Sequence, residues 1–244
     1  EISIPAAIHA EPITGRVYVM ISETPQPEPF LQIGRNGIPF FGHDIEKLAP
    51  GNPAVIDLGD LGTPLASLAD LPPGDYYVQG FVNIYSEFRR GDGHVVWLHD
   101  DQWEGQDWNR SPGNIYSNAR RVSISPLSDE VIRLEATNVI PPVQIPANTE
   151  WVRRFQFESP MLSEFWGRPI YMGATVLLPR NYDSETKTYP AIYEQGHFDP
   201  GAPMGFAPGN RFEREWTRDD FPEDLAPLVQ LFGRLGLDRD LCVD

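Results

Sequence analysis

A mainly β fold is predicted by three features of the sequence. Glycine and proline contribute 21 and 25 of the 244 residues, which leaves little room for long helices. Short segments rich in valine, isoleucine and tyrosine recur over residues 1–140, and turn-forming residues separate them. A proline cluster then interrupts the chain at Pro141 and Pro142. Residues 1–140 are therefore predicted to form a β-sandwich of the immunoglobulin-like or prealbumin-like kind.

Six strands of this sandwich are expected from the pattern of apolar residues and turns. They are Gly15–Ser22, Ala54–Leu58, Tyr76–Tyr85, Val95–Leu98, Ala119–Ile124 and Val131–Leu134. Side chains alternate across a strand, so Val78 and Val82 lie on an apolar face and Gln79 and Asn83 on a mixed one. One face of the third strand is therefore expected to be apolar and the other mixed.

The segment 141–150 is the predicted linker between two domains. Pro141, Pro142 and Pro146 can neither pair within a central strand nor continue a helix. Residues 151–244 follow as a second domain. Its predicted elements are the strands Trp151–Phe157, Ile170–Leu178 and Ala191–Tyr193 and the helix Pro222–Leu235.

Charge and hydropathy exclude several classes of partner. The net charge is −16 at pH 7, which disfavours nucleic acids and anionic membrane surfaces. No apolar run is long enough to span a bilayer. The single cysteine, Cys242, has no partner for an internal disulfide. The chain begins at Glu1 in sequence typical of a folded domain, so we expect a processed or trimmed start and a secreted or periplasmic protein.

The segment Phe157–Phe198 carries the most specific pattern in the chain. A strand, a charged turn, a β-rich run that ends in Leu-Pro, a tyrosine turn and a Tyr-Pro strand that ends in Gly-His follow one another. This order resembles the start of the putative-esterase branch of the α/β-hydrolases, which includes esterase D, enterochelin esterases and feruloyl esterases. The matching positions are Ser159, Gly167, Val176, Leu178, Pro179, Tyr182, Tyr189, Pro190, Tyr193, Gly196 and His197.

The resemblance implies that residues 151–244 are the first strands of an α/β-hydrolase sheet, which follows an accessory sandwich. It also implies that Gly196, His197 and Phe198 form the loop that supplies a backbone N–H to the oxyanion hole. Gly196-His197 reverses the His-Gly order of many relatives, so all three residues stay candidates for the donor. A tight turn with a packed histidine is the structural alternative.

The nucleophile that this resemblance requires is absent from the 244 residues. They contain no Gly-x-Ser-x-Gly motif, and no histidine follows His197. We therefore expect the N-terminal portion or a subunit of a serine esterase acting on a small-molecule ester. The serine would lie on a C-terminal continuation or companion chain, and this chain alone would be inactive.

A loop rich in acids and tryptophans supports an alternative from another functional class. Asp100, Asp101, Glu104 and Asp107 alternate here with Trp97, Trp103 and Trp108. Several carboxylates in one loop suit calcium, although the spacing of an EF-hand is missing. Exposed tryptophans beside carboxylates also suit a sugar. The alternative is a noncatalytic β-rich binding or structural protein that binds calcium or carbohydrate. A solvated acidic loop with no ligand is the structural explanation, and no other cofactor is expected.

Overall fold

The computed structural model describes residues 1–34, 37–102, 104, 107–125, 130–179, 182–184, 186, 188–189, 191–193, 201–203 and 206. Strands account for 40% and helices for 11% of them, so the protein is mainly β, as the sequence predicts. The chain divides into two compact units, Glu1–Val143 and Gln144–Asp244. This division falls inside the segment 141–150.

The first unit contains nine strands among the described residues. They are β1 (Ile2–Ser3), β2 (Ile13–Ser22), β3 (Phe40–Leu48), β4 (Gly62–Thr63), β5 (Gly74–Arg89), β6 (Val95–His99), β7 (Ile115–Ser117), β8 (Arg120–Ile124) and β9 (Leu134–Val139). Short 3-10 helices lie at Pro29–Leu31, Leu68–Asp70 and Trp108–Arg110.

These strands form one curled mixed sheet around the 16-residue strand β5. The order along the main path is β1-β9-β7-β5-β2-β3-β4, and β6 and β8 also pair with β5. All pairs are antiparallel except β1 with β9. Because β5 pairs with β2, β6, β7 and β8, it holds most of the unit together.

Both faces of β5 are buried in the central part of the strand. On the apolar face, Val78 and Val82 are 1% and 0% exposed and join the larger core cluster. On the mixed face, Phe81 packs in a second cluster with Met20 and Phe30. Burial of apolar side chains on the two faces, at roughly 2 kcal/mol each, makes β5 the centre of the core.

The second unit contains a hairpin and one short helix among its described residues. Strands β10 (Val152–Glu158) and β11 (Tyr171–Leu177) pair antiparallel along their whole length. Between them lies α1 (Pro160–Trp166), with a further 3-10 helix at Tyr182–Ser184.

Helix α1 begins and ends at residues suited to these positions. The Ser159 hydroxyl accepts a hydrogen bond from the Leu162 amide at 3.4 Å, and Pro160 opens the first turn. Gly167 ends the helix with φ of 63°, a conformation that glycine adopts without strain.

The structure differs from several predicted elements. Of Ala54–Leu58, only Ala54 forms a β-bridge, with Ile2, because the chain turns at Asp57, whose carboxylate accepts from the Gly59 amide. The last strand of the unit runs from Leu134 to Val139 rather than over Val131–Leu134. Ala191–Tyr193 is not in a strand. The predicted helix Pro222–Leu235 lies outside the described residues.

Candidate functional site

The residues of the predicted oxyanion-hole loop are outside the part of the chain that the structure describes. Gly196, His197 and Phe198 are therefore still predictions. Four upstream positions of the same pattern have a clear structural role. Ser159 caps α1, Gly167 ends it, and Val176 lies in β11. Leu178 follows β11 with 7% exposure and its amide donates to the Trp151 carbonyl at 2.7 Å.

The acidic tryptophan loop is fastened to the sheet by a buried carboxylate. The Glu104 side chain is 2% exposed, and its Oε1 lies 2.7 Å from Nε2 of His99 at the end of β6. Its Oε2 accepts a hydrogen bond from the Gln102 amide at 2.6 Å. Both oxygens of this buried carboxylate are thus engaged within the protein, which offsets the cost of its burial.

The hydrogen bonds around the other ring nitrogen of His99 show which groups donate and which accept. The Ile84 amide donates to Oδ1 of Asn114 at 2.9 Å, so the Nδ2 group of Asn114 is the donor to the Trp108 carbonyl and to Oδ1 of Asn83. Oδ1 of Asn83 therefore also accepts from Nδ1 of His99, at 3.2 Å. Both ring nitrogens of His99 are occupied. A general base needs a ring nitrogen that can reach a substrate. Since both nitrogens of His99 already have partners, we interpret this histidine as a structural residue that holds the loop on the sheet.

The calcium ligands predicted in this loop are not assembled into a metal site. In the described ranges, no three His, Cys, Asp or Glu side chains are arranged to hold a metal ion. The predicted ligands are Asp100, Asp101, Glu104 and Asp107, and the carboxylate of Glu104 is bound to His99. Calcium binding by the other three stays a prediction.

The tryptophans of the loop differ in their surroundings. Trp108 packs into the second core cluster and stacks on Tyr18, with ring centroids 4.4 Å apart. Burial is the main cause that raises the pKa of Tyr18 to about 12. Trp97 on β6 is 44% exposed. Trp103 lies outside the described residues. Of the two described tryptophans in the loop, only Trp97 offers its ring to a ligand as the sugar hypothesis requires.

A second candidate site is an open groove of about 410 Å³ beside β3. One wall is formed by β3 and the other by the segment Pro53–Asp57. Its lining combines apolar and charged side chains: His43, Asp44, Ile45, Glu46, Leu48, Pro53, Ala54, Val55 and Asp57.

A carboxylate orients the histidine of this groove. Nδ1 of His43 lies 2.8 Å from Oδ1 of Asp60, whose other oxygen accepts from the Asp57 amide at 2.9 Å. The His43 side chain is 47% exposed and that of Asp60 only 14%. A carboxylate bound to one imidazole nitrogen holds the ring in place and leaves the other nitrogen for a ligand. Sequence reasoning missed this pair because 17 positions separate its members.

No helix in the described part of the chain is long and apolar enough to cross a membrane. Comparison with protein-family models, with curated proteins and with solved structures finds no match to this chain.

Proposed function

We propose that this chain is the N-terminal portion or a subunit of a serine esterase-like hydrolase that acts on a small-molecule ester. The first unit would be its accessory sandwich, in which the curled sheet closes over the larger core cluster. The second unit would supply the first strands of an α/β-hydrolase sheet. A secreted or periplasmic location is part of the same proposal.

An exposed apolar face on the hairpin of the second unit is the observation that carries the proposal. Phe155 and Phe157 lie on one face of β10 and are 50% and 47% exposed. Met172 on β11 is directly opposite Phe157 and is 45% exposed. A two-stranded hairpin is only marginally stable in water, and large exposed apolar faces usually mark contact surfaces. Further strands and helices of a hydrolase domain would cover this face.

The structural roles of the esterase-like pattern also support the proposal. Ser159, Gly167 and Leu178 cap a helix, end it and fill a buried position. Serine and glycine are the residue types that a helix start and a helix end favour, so these positions of the pattern are compatible with the hairpin-and-helix scaffold that the proposal requires.

The mechanism that follows from the resemblance is acyl transfer. A serine on the continuation or companion chain would attack the ester carbonyl, and a histidine on the same part would take the serine proton and pass it to the departing alcohol. Water would then hydrolyse the acyl-enzyme and release the acid. Residues Gly196–Phe198 would donate a backbone N–H to the oxyanion. This chain by itself would contain no activated nucleophile and would be inactive.

Labelling of the native protein with a fluorophosphonate tests the proposal. The reagent reacts with an activated serine, so intact-mass and peptide mass spectrometry should find it on a Gly-x-Ser-x-Gly peptide outside residues 1–244. The proposal is wrong if the native protein carries no such peptide. It is also wrong if the label or ester hydrolysis occurs on residues 1–244 alone. A noncatalytic binding protein would give no label at all.

Proline substitutions test the oxyanion-hole residues in the active protein. Proline lacks the N–H, so Gly196→Pro, His197→Pro or Phe198→Pro at the true donor should lower kcat by about 100-fold to 1,000-fold. His197→Ala and Phe198→Ala keep the N–H and serve as matched controls with small effects on kcat. Equal losses in the proline and alanine variants would show that no backbone donor lies here.

A further inference from the structure

The outer edge of β3 is only partly covered by another strand. β4 pairs with Phe40 and Phe41, and the Leu61 carbonyl accepts from the Gly42 amide. From Asp44 onward, no strand among the described residues pairs with this edge. The free stretch ends at Lys47, whose φ of 48° bends the chain.

The free edge is also one wall of the groove of about 410 Å³. Asp44–Glu46 spans three residues of extended chain, or about 10 Å. The opposite wall is held in place because Ala54 exchanges two backbone hydrogen bonds of 2.8 Å with Ile2. Val55 on that wall is 50% exposed. The groove is therefore open to solvent, and one of its walls carries free backbone groups.

The charges on the two walls favour a basic occupant. The carboxylate of Asp44 is neutralised by Arg16 at 2.7 Å. Glu46 on one wall and Asp57 on the other form no ion pair with a lysine or arginine of the described residues. The carboxylate of Asp60 lies behind His43. A net charge of −16 attracts a basic segment from a distance as well.

We propose that this groove is a docking site for a basic peptide segment of a partner, which adds to the sheet as a further strand beside Asp44–Glu46. Backbone hydrogen bonds to a free sheet edge supply affinity in this mode of recognition, and side chains supply specificity. Lysine or arginine side chains of the segment would reach Glu46 and Asp57, one on each wall. The site is separate from the proposed ester chemistry.

A fluorescent peptide of alternating lysine and threonine is the probe. Titration into the full chain should give saturable binding that weakens as salt is raised. The same peptide with glutamate in place of lysine, and a version N-methylated at alternate residues, should both fail to bind. The first control removes the charge complementarity, and the second removes the backbone donors.

Paired variants locate the site. Glu46→Gln with Asp57→Asn keeps the shape and the hydrogen bond from the Gly59 amide and should raise the peptide Kd about fivefold. The control pair Glu23→Gln with Glu135→Gln removes the same charge from exposed positions outside the groove and should leave the Kd within twofold. Amide hydrogen exchange at Asp44 and Glu46 should slow when the peptide binds.

Three results would overturn the proposal. The first is an absence of binding by the lysine peptide, which would mean that the acidic groups only prevent other strands from pairing with this edge. The second is equal weakening by the two variant pairs, or undiminished binding of the N-methylated peptide. The third is slower exchange at Asp44 and Glu46 on self-association without peptide, which would identify a second copy of the chain as the occupant. None of these results depends on esterase activity.

Discussion

Replacement of Gln79 by leucine should strongly destabilise the first unit. Gln79 is 0% exposed on the mixed face of β5. Its Oε1 accepts from the Phe30 amide at 3.0 Å, and its Nε2 donates to the Glu28 carboxylate at 2.7 Å and to the Ser117 carbonyl at 2.8 Å. This one side chain joins β5 both to the segment before β3 and to β7.

The magnitude follows from the groups that lose their partners. In Gln79→Leu, the Phe30 amide and the Ser117 carbonyl stay buried without a partner, at about 1–3 kcal/mol each. The charge-assisted bond to Glu28 contributes about 1.5–3 kcal/mol more. Leucine recovers a part of this through its own burial, which leaves an expected loss of about 3–5 kcal/mol in the free energy of unfolding.

Urea unfolding followed by near-UV circular dichroism measures the change, and hydrogen exchange of the Phe30 amide reports the broken bond directly. Gln102→Leu is the matched control, since Gln102 is exposed and its side chain makes one hydrogen bond, to the Pro112 carbonyl at 2.8 Å. We expect the control to lose less than about 1 kcal/mol. If the two variants unfold at the same urea concentration, the reasoning about buried hydrogen bonds here is refuted.

Three other outcomes are expected. Gly15→Ala should cost more than about 2 kcal/mol, because the new Cβ would lie 2.1 Å from a backbone oxygen of β5, whereas Gly34→Ala, with open space around it, should be nearly neutral in thermal melts. Burial raises the pKa of Tyr18 to about 12. The contribution of the neutral Tyr18 side chain to the free energy of unfolding is fully present below the unfolded pKa of about 10. It falls by up to about 2 kcal/mol as pH rises from about 10 to about 12. Tyr18→Phe should remove that part of the alkaline loss in urea titrations, and an unchanged pH profile would contradict the assignment. Glu104→Ala should lower the free energy of unfolding by about 2–3 kcal/mol and speed tryptic cleavage of its loop. Asp107→Ala should change neither the stability nor the cleavage rate, because the Asp107 side chain makes no capping hydrogen bond. Equal cleavage rates would show that the buried carboxylate does not fasten the loop.

Strands with buried faces were the most predictable part of the fold. Tyr76–Tyr85 was found because side-chain alternation and a preceding Gly-Asp turn coincide. The extension of β5 to Arg89 was missed because its last residues are mostly polar. They form a strand because they pair with β6 in a hairpin, in whose loop the Arg90 amide donates to the His94 carbonyl. β3 was missed because Gly42 has no side chain and because His43 and Asp44, which line the groove, break the apolar pattern. Ser159-Pro160 and Gly167 are cap residues that could have predicted α1.

The candidate sites were less predictable because they depend on contacts between distant segments. Nothing in the sequence brings Asp60 to His43, since the pair forms only after β3 and β4 align. The bond between Glu104 and His99 is local, yet the ring of His99 is also held by Oδ1 of Asn83, which accepts a second hydrogen bond from the distant Asn114. A list of acidic residues therefore indicates a candidate calcium loop, whereas the structure shows that one of those acids is used internally.

The parallel pairing of β1 with β9 has a consequence for how the first unit is made. Ile2 lies opposite Leu134, and the amino group of Glu1 donates to the Ile132 carbonyl, 131 residues along the chain. Contacts this distant in sequence slow folding, because a long loop must close before they form. On the ribosome, β1 can form its bridge with Ala54 early, but it lacks its partner strand until β9 has emerged. Chaperone binding during that interval should therefore concentrate on the apolar residues of β1, whose partner strand β9 is synthesised much later.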